Sequence, residues 1–242
     1  MAKFWNLIRN DAGERVLRLD GAISEYTWFG DEVTPQIFRG ELDAGEGDIT
    51  VWINSPGGDV FAADQIFNML KEYGNNRGLV TVKIDSLAAS AASIIAMAGD
   101  AIEISPVGMM MIHNPATITA GDADEMKAAA KMLDEVKESI INAYEQRTKL
   151  PRAQLSRMMD AETWMNANKA VELGFADKII GSDNQAIDER PAASFSQRAV
   201  TNSVANAFKA KREAEKKIAD ADKRVDAAQF DKRLDLIKLW RS

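Results

Sequence analysis

The sequence predicts an α/β fold with a parallel sheet. Along residues 14–180, short apolar runs typical of buried strands alternate with segments whose apolar residues recur at helical spacing. Such alternation favours parallel strands that are joined by right-handed crossovers. A length of 242 residues is enough for one globular domain with a sizeable core and an additional segment.

The first half of the chain opens with a predicted hairpin. Lys3–Arg9 and Glu14–Asp20 flank an Asn-Asp-Ala-Gly sequence that suits a tight turn. Thr34 and Pro35 supply an N-cap and a first-turn proline for a helix that runs to about Asp43. The remaining predictions in this half are a buried strand over Asp48–Asn54, a turn over Ser55–Gly58 and a helix over Asp59–Tyr73 that Gly74 ends.

The second half continues the alternation and contains the longest predicted helix. This helix covers Ala123–Lys149, and its apolar stripe consists of Met126, Ala130, Leu133, Val136, Ile140 and Tyr144. A short helix over Ala88–Ala98 is apolar on nearly all sides, so it must be enclosed. The other predicted elements are strands over Leu79–Asp85, Ala101–Ile104, Met109–His113 and Asp177–Ile180, and helices near Pro151–Met159 and Ala167–Leu173.

The composition changes after residue 180, which divides the chain into three predicted segments. Residues 1–180 form the globular domain, residues 181–202 a flexible linker, and residues 203–242 a charged, Ala-rich helical extension. Residues 201–242 carry 11 Lys+Arg and 7 Asp+Glu, a net charge of +4, so the preceding 200 residues carry −11 of the chain's total of −7. The extension has a weak coiled-coil spacing and is either a partner-binding helix or a solvated tail.

The residue counts exclude several chemistries. The absence of cysteine excludes disulfides, thiolate metal sites and a cysteine nucleophile. A single histidine, His113, leaves one imidazole base and no multi-histidine zinc site, so we expect no metal and no cofactor. The longest apolar stretch, Ala91–Ala98, is far shorter than the roughly 20 residues of a membrane span. Without a signal-peptide pattern, the chain is expected to be cytoplasmic, and its acidity argues against nucleic acid as a partner.

Two turns that lead from a strand into a helix hold the candidate functional groups. Free backbone amides in Asn54–Asp59 can line an anion site, although its two glycines also suit a plain turn. A serine within Asp85–Ser93 lies at the start of a buried helix, where the helix dipole favours a developing oxyanion. His113 ends an apolar strand shortly before Pro115, a position that suits either a functional or a structural histidine.

Taken together, four ordered motifs resemble the ClpP family of serine peptidases. They are Asn-Ser-Pro-Gly-Gly at 54–58, Ala-Ala-Ser at 88–90, Met-Ile-His-Asn-Pro at 111–115 and Ala-Val-Glu-Leu-Gly-Phe-Ala-Asp at 170–177. The resemblance covers about residues 16–180. It implies the repeated β-β-α fold of the ClpP/crotonase superfamily with a long handle helix, a Ser-His-acid triad, and peptide hydrolysis inside a closed ring.

The resemblance implies a role for each matching residue. Ser90, which follows the Ala-Ala pair, matches the nucleophile, and His113 matches the general base. The backbone amides of Gly58 and Ala91 match the oxyanion hole. The family's aspartate falls on Glu162, which can orient an imidazole with one more methylene of reach, and Asp160 is the alternative acid.

The resemblance also implies partners. The helix over residues 123–149 matches the handle, so we expect a homo-oligomer of heptameric-type rings stacked through it. The charged extension resembles the tails of phage head maturation proteases, which implies capsid or scaffold proteins as substrates. One alternative is an ATP-dependent Clp proteolytic subunit that degrades polypeptides with an AAA+ unfoldase. Another is a crotonase-type acyl-CoA enzyme, in which the paired amides would bind a thioester enolate.

Overall fold

A computed structural model of the chain describes residues 8–9, 15–26 and 32–182. The predicted linker, apart from residues 181–182, and the whole predicted extension lie outside the described residues. In the described part, eight strands form one sheet that packs against helices, which confirms the predicted α/β class. Most strand pairs are parallel, as the alternation predicts.

The helices and strands follow the predicted order closely. They are β1 (Ile8–Arg9), β2 (Arg15–Asp20), α1 (Pro35–Leu42), β3 (Ile49–Ser55), α2 (Val60–Asn76), β4 (Val80–Ala89), α3 (Ala91–Ala96), β5 (Ala101–Ile104), β6 (Met109–Ile112), α4 (Ala123–Thr148), α5 (Arg152–Asp160), β7 (Thr163–Asn166), α6 (Ala167–Glu172) and β8 (Lys178–Ile179). The predicted start of α1 is confirmed, because the Thr34 hydroxyl accepts a hydrogen bond from the N–H of Ile37 and Pro35 follows.

The sheet divides at β4, and this division positions the candidate site. The main strand order is β1-β2-β3-β4-β5-β8, and β6 pairs with β4 and β7 outside this path. The N-terminal part of β4 pairs with β5. Its C-terminal part pairs with β6, from Leu87 opposite Met109 to Ala89 opposite Met111. The residues that follow β4 and β6 therefore lie side by side.

The region around Ala88 corrects one prediction. The strand over Leu79–Asp85 extends to Ala89, and the helix predicted over Ala88–Ala98 covers only Ala91–Ala96. Pairing with β6 keeps Leu87–Ala89 extended in spite of the helix propensity of alanine. The serine of the Ala-Ala-Ser motif therefore lies in the junction between a strand and a helix.

Two further elements differ from the predictions. Helix α2 continues past Gly74 to Asn76, because Gly74 keeps a helical conformation in which its Cα faces the Asp100 carboxylate. Strand β7 is absent from the sequence prediction, because Thr163–Asn166 is too short to show a period of its own. Its antiparallel pairing with β6, from Ile112 opposite Thr163 to Met109 opposite Asn166, stabilises it.

One face of the sheet holds the core and the other does not. Alternate residues of β3, namely Ile49, Val51 and Ile53, are buried, whereas Trp52 between them is only half-buried. Among the described residues, the predicted buried strands are thus covered on one face only. Opposite the core, a row of residues runs in register across five strands: Arg18, Trp52, Lys83, Glu103 and Lys178.

The apolar stripe predicted on α4 is buried only in its C-terminal half. Val136, Ile140 and Tyr144 are buried in the core. Met126 and Ala130, in the N-terminal half, are exposed. An Asp122 capping box begins this helix, and it extends away from the core before it packs against α3 and α5.

Candidate active site

Ser90 occupies a strained position between β4 and α3. Its φ of 55° and ψ of −127° belong to a region that residues with a side chain rarely adopt, at a cost of roughly 1–3 kcal/mol. The Ser90 N–H donates to the carbonyl of Met111 at 2.9 Å, which ties the turn to β6. Strain of this kind is concentrated at functional sites, because the surrounding structure must maintain it.

His113 follows β6 and lies directly against Ser90. The distance from Ser90 Oγ to His113 Nε2 is 2.7 Å, a hydrogen bond between a hydroxyl and an imidazole. The parallel pairing of Ala89 with Met111 explains this proximity. Burial lowers the pKa of His113, and the nearby negative charge of Glu162 partly opposes that effect. The imidazole is therefore mostly neutral at pH 7 and can accept the Ser90 proton.

Glu162 lies in the turn between α5 and β7. It has a left-handed backbone with φ of 47°, and its Oε1 accepts a hydrogen bond from Trp164 Nε1 at 3.2 Å. Its charge raises the pKa of His113. Among the described residues no hydrogen bond joins Glu162 to His113, so the interaction between the two side chains acts through space. The turn thus places a carboxylate in electrostatic reach of the imidazole.

Asp160, the alternative acid, makes different contacts. Its Oδ1 accepts hydrogen bonds from Lys137 Nζ at 2.6 Å and from Asn114 Nδ2 at 2.9 Å. These two donors hold the pKa of Asp160 below its ordinary value. The structure therefore turns Asp160 toward α4 and the segment after His113 rather than toward the imidazole. The spacing along the sequence alone does not decide which of the two carboxylates is the acid of the triad.

The Pro-Gly-Gly turn lies against the Ser90 turn. Gly57 has a φ of +92°, and a Cβ added to it would lie 2.7 Å from Ser90 Cβ and 2.9 Å from Ala91 N. Gly58 has a φ of +150°, and a Cβ there would lie 2.0 Å from the carbonyl oxygen of Ile23. Glycine is required at both positions by conformation and by space. The turn thereby brings the backbone of Gly57 and Gly58 next to the first residue of α3.

A cleft of about 260 Å³ adjoins these groups. Gly58, Ser90, Ala91 and His113 all line it. Its remaining wall is largely apolar and includes Phe61, Ile94, Leu133, Val136 and Ile140. Four of the six candidate site residues thus meet at one cleft, whereas Glu162 and Asp160 do not line it.

Comparison with known proteins identifies the family. The sequence model of the Clp protease family matches residues 5–183, about three quarters of the 242-residue chain. The chain belongs to the Clp protease family. It is accordingly a serine endopeptidase, and the Ser90–His113 pair lies within the matched region.

Curated relatives of this Clp protease come from several bacteria. The chain is 29% identical over 170 residues to the ATP-dependent Clp protease proteolytic subunit of Porphyromonas gingivalis, covering 69% of this chain and 74% of that protein. It is 32% identical over 158 residues to proteolytic subunit 1 of Chlamydia muridarum, covering 63% and 80%. It is 29% identical over 168 residues to proteolytic subunit 2 of Tropheryma whipplei, covering 69% and 91%. No helix in the described part of the chain has the length and apolarity needed to span a membrane.

Proposed function

We propose that this Clp protease cleaves peptide bonds with Ser90 as nucleophile, His113 as general base and Glu162 as the acid. The observation that carries the proposal is the 2.7 Å contact between Ser90 Oγ and His113 Nε2 at the wall of the cleft. A crotonase-type reaction does not need such a pair. Glu162 is preferred to Asp160 because its charge acts on His113, whereas Asp160 is bound to Lys137 and Asn114.

The reaction begins with proton transfer. His113 Nε2 takes the proton of Ser90 Oγ as the oxygen attacks the scissile carbonyl carbon, and the backbone N–H groups of Gly58 and Ala91 stabilise the oxyanion. The negative charge of Glu162 stabilises the imidazolium. His113 then protonates the leaving amine as the C–N bond breaks. Water, deprotonated by His113, attacks the acyl-enzyme, and the departing Ser90 Oγ recovers a proton.

The test is active-site labelling followed by peptide hydrolysis. A fluorophosphonate probe should label the wild-type chain, and Ser90→Ala should abolish both labelling and cleavage of peptides with an apolar residue before the scissile bond, which suits the apolar cleft. Ser86→Ala is the matched control, because Ser86 is an exposed serine on β4. Equal labelling of wild type and Ser90→Ala would contradict the proposal.

The relatives' names support a role beside a Clp ATPase. They are proteolytic subunits of ATP-dependent Clp proteases, so we propose that this chain forms a homo-oligomeric ring that degrades polypeptides delivered by an AAA+ unfoldase. The second candidate is a phage head maturation protease, because the charged extension predicted over residues 203–242 resembles the tails of such proteases. Degradation of a folded protein only with ATPase and ATP supports the first role. ATP-independent cleavage of a co-expressed capsid scaffold supports the second.

A further inference from the structure

The backbone carbonyl of Ser90 is held by a neighbouring side chain. Ser93, in the first turn of α3, donates its N–H to Ser90 O at 2.9 Å and its hydroxyl to the same oxygen at 2.6 Å. Ser93 is fully buried. Its Oγ also lies 2.7 Å from Oη of Tyr144, which α4 contributes. The three residues thus form one hydrogen-bonded chain.

Counting the available protons shows which group donates in each of these hydrogen bonds. A serine hydroxyl has one proton to donate, and a backbone carbonyl can only accept. Because the Ser93 proton goes to Ser90 O, Tyr144 must donate its own proton to Ser93 Oγ. Burial raises the pKa of the Tyr144 phenol, so the phenol keeps that proton throughout the physiological range.

The position of Tyr144 is set by the core. Its ring is buried and packs edge-on against Phe175, with ring centroids 5.5 Å apart and an interplanar angle of 61°. The ring of Tyr144 also lines the cleft beside Ser90 and Ala91. The donor at the far end of the hydrogen-bonded chain is therefore held rigidly in relation to the cleft.

The Ser90 carbonyl and the Ala91 N–H belong to one peptide unit. Because that unit is planar and trans, the two groups point in opposite directions, and an anchor on the carbonyl also sets the direction of the N–H. The strained backbone of Ser90 would otherwise tend to relax by rotating this peptide. A carbonyl that accepts strong hydrogen bonds also makes the N–H of the same peptide a stronger donor.

We propose that Ser93 and Tyr144 are positioning residues for the oxyanion hole. The chain from Tyr144 Oη through Ser93 Oγ to Ser90 O fixes and polarises the Ser90–Ala91 peptide, so that the Ala91 N–H is aimed at the oxyanion. The inference rests on the proposed function, in which Ala91 is an oxyanion donor. Neither side chain touches the reacting atoms, and both act through the peptide.

The experiment compares Ser93→Ala, Tyr144→Phe and the double variant in the full chain. Loss of an oxyanion-hole donor lowers kcat by about 100- to 1,000-fold, so misdirection of one should lower it by about 10- to 100-fold in Ser93→Ala. We expect roughly a threefold loss in Tyr144→Phe, which keeps the ring and its packing. KM should change by less than about twofold, since the interaction matters only in the transition state. The double variant should lose no more than Ser93→Ala, because Tyr144 acts through Ser93.

A second readout separates positioning from general damage. A peptide aldehyde forms a tetrahedral adduct on Ser90, so its affinity should fall by the same factor as kcat/KM, while the affinity of the corresponding peptide amide stays constant. Two substitutions serve as matched controls: Ser156→Ala, and Tyr26→Phe at an exposed tyrosine. Both should retain the wild-type kcat, KM and aldehyde affinity. Thermal melting shows whether Ser93→Ala folds. If it does not, the near-isosteric Tyr144→Phe replaces it, and its loss of aldehyde affinity is compared with its loss of kcat/KM in the same way.

The outcomes distinguish this inference from the proposed function. The positioning role would be overturned if the Ser93 and Tyr144 variants kept the wild-type kcat and aldehyde affinity. If Ser90→Ala were inactive at the same time, the peptidase mechanism would stay intact. A rise in KM at constant kcat would also overturn it, because that result means a role in the cleft wall. Activity in Ser90→Ala would instead overturn the proposed function itself.

Discussion

At the scale of single residues, burial and the nearby charge of Glu162 together set the pKa of His113. Burial lowers the pKa of the imidazole because the low-dielectric surroundings disfavour its charged form, and Glu162 attracts the proton and opposes the shift. The net direction is downward from the ordinary value. A base of this kind is ready to accept a proton at neutral pH, and the same carboxylate then stabilises the imidazolium.

The first prediction concerns Glu162→Gln. Its kcat should fall by roughly 100-fold or more, because the imidazolium loses its anionic partner. The acidic limb of kcat/KM against pH, which reports the pKa of His113 in the free enzyme, should move to lower pH, since a charge that raises this pKa has been removed. Steady-state kinetics from pH 5 to about 9 measure both effects.

Asp160→Asn is the matched control for this prediction. Asp160 is bound to Lys137 and Asn114, so its neutralisation should leave the acidic limb unmoved and lower kcat far less than Glu162→Gln does. An unmoved or upward-shifted limb in Glu162→Gln would contradict the role of Glu162, and a larger loss of kcat in Asp160→Asn would assign the acid to Asp160.

At the scale of elements, the site is the meeting point of two strand ends and a glycine turn. The pairing of β4 with β6 brings Ser90 and His113 together, and β7 follows Glu162 on the other side of β6. Gly57 closes the arrangement because its backbone lies directly against Ser90 and Ala91. Small displacements between these elements would therefore change the reacting geometry.

The second prediction is that Gly57→Ala destabilises the protein and abolishes activity. The added Cβ would lie 2.6 Å from Ala89 O and 2.7 Å from Ser90 Cβ, on a backbone with φ of +92°, so the free energy of unfolding should fall by about 2–4 kcal/mol. Gly40→Ala is the control, because Gly40 is an exposed residue of α1 with nothing within 4 Å of the added Cβ.

Gly40→Ala should raise the free energy of unfolding by about 0.5–1 kcal/mol, since alanine is the better helix former. Urea titration followed by circular dichroism, together with peptide hydrolysis, measures both variants. A fully active and stable Gly57→Ala would show that the turn does not need to lie so close to Ser90.

At the scale of the whole molecule, two surfaces of the described residues bear on assembly, namely the second face of the sheet and the N-terminal half of α4. Parallel sheets are generally covered on both faces, whereas in the described part of the chain no helix covers the second face, which carries the row from Arg18 through Trp52 to Lys178. Helix α4 carries exposed Met126 and Ala130 in its N-terminal half. Both features suit a subunit of a larger assembly.

The third prediction addresses assembly through α4. The double variant Met126→Glu, Ala130→Glu should reduce the mass of the assembly observed by native mass spectrometry, because two charges would be placed on the exposed part of the apolar stripe of α4. Val107→Glu, at an apolar residue that is 81% exposed on a loop, should leave the mass unchanged. An unchanged mass in the α4 variant would exclude this face from the interface.

The sequence alone could predict the features that depend on residues close to one another along the chain. The alternation of strands and helices, the Thr34 cap, the proline at the start of α1 and the spacing of the four motifs all depend on neighbouring residues or on their order. The alternation led to the α/β class, and the resemblance of the four motifs to the ClpP family led to the family. The motifs also led to Ser90, His113, Gly58, Ala91 and Glu162 as site residues, and these roles stay proposals for the experiments above.

The tertiary structure decided what depends on contacts between distant segments. Strand pairing with β6 kept Leu87–Ala89 extended against the local helix propensity of alanine and placed Ser90 in a strained turn. Lys137 and Asn114 drew Asp160 away from the imidazole, although Asp160 and Glu162 are only two residues apart. Ser93 and Tyr144 are 51 residues apart and share a hydrogen bond that no spacing announces. Sequence patterns report interactions within a turn or two, and only the folded sheet determines which distant polar groups become partners.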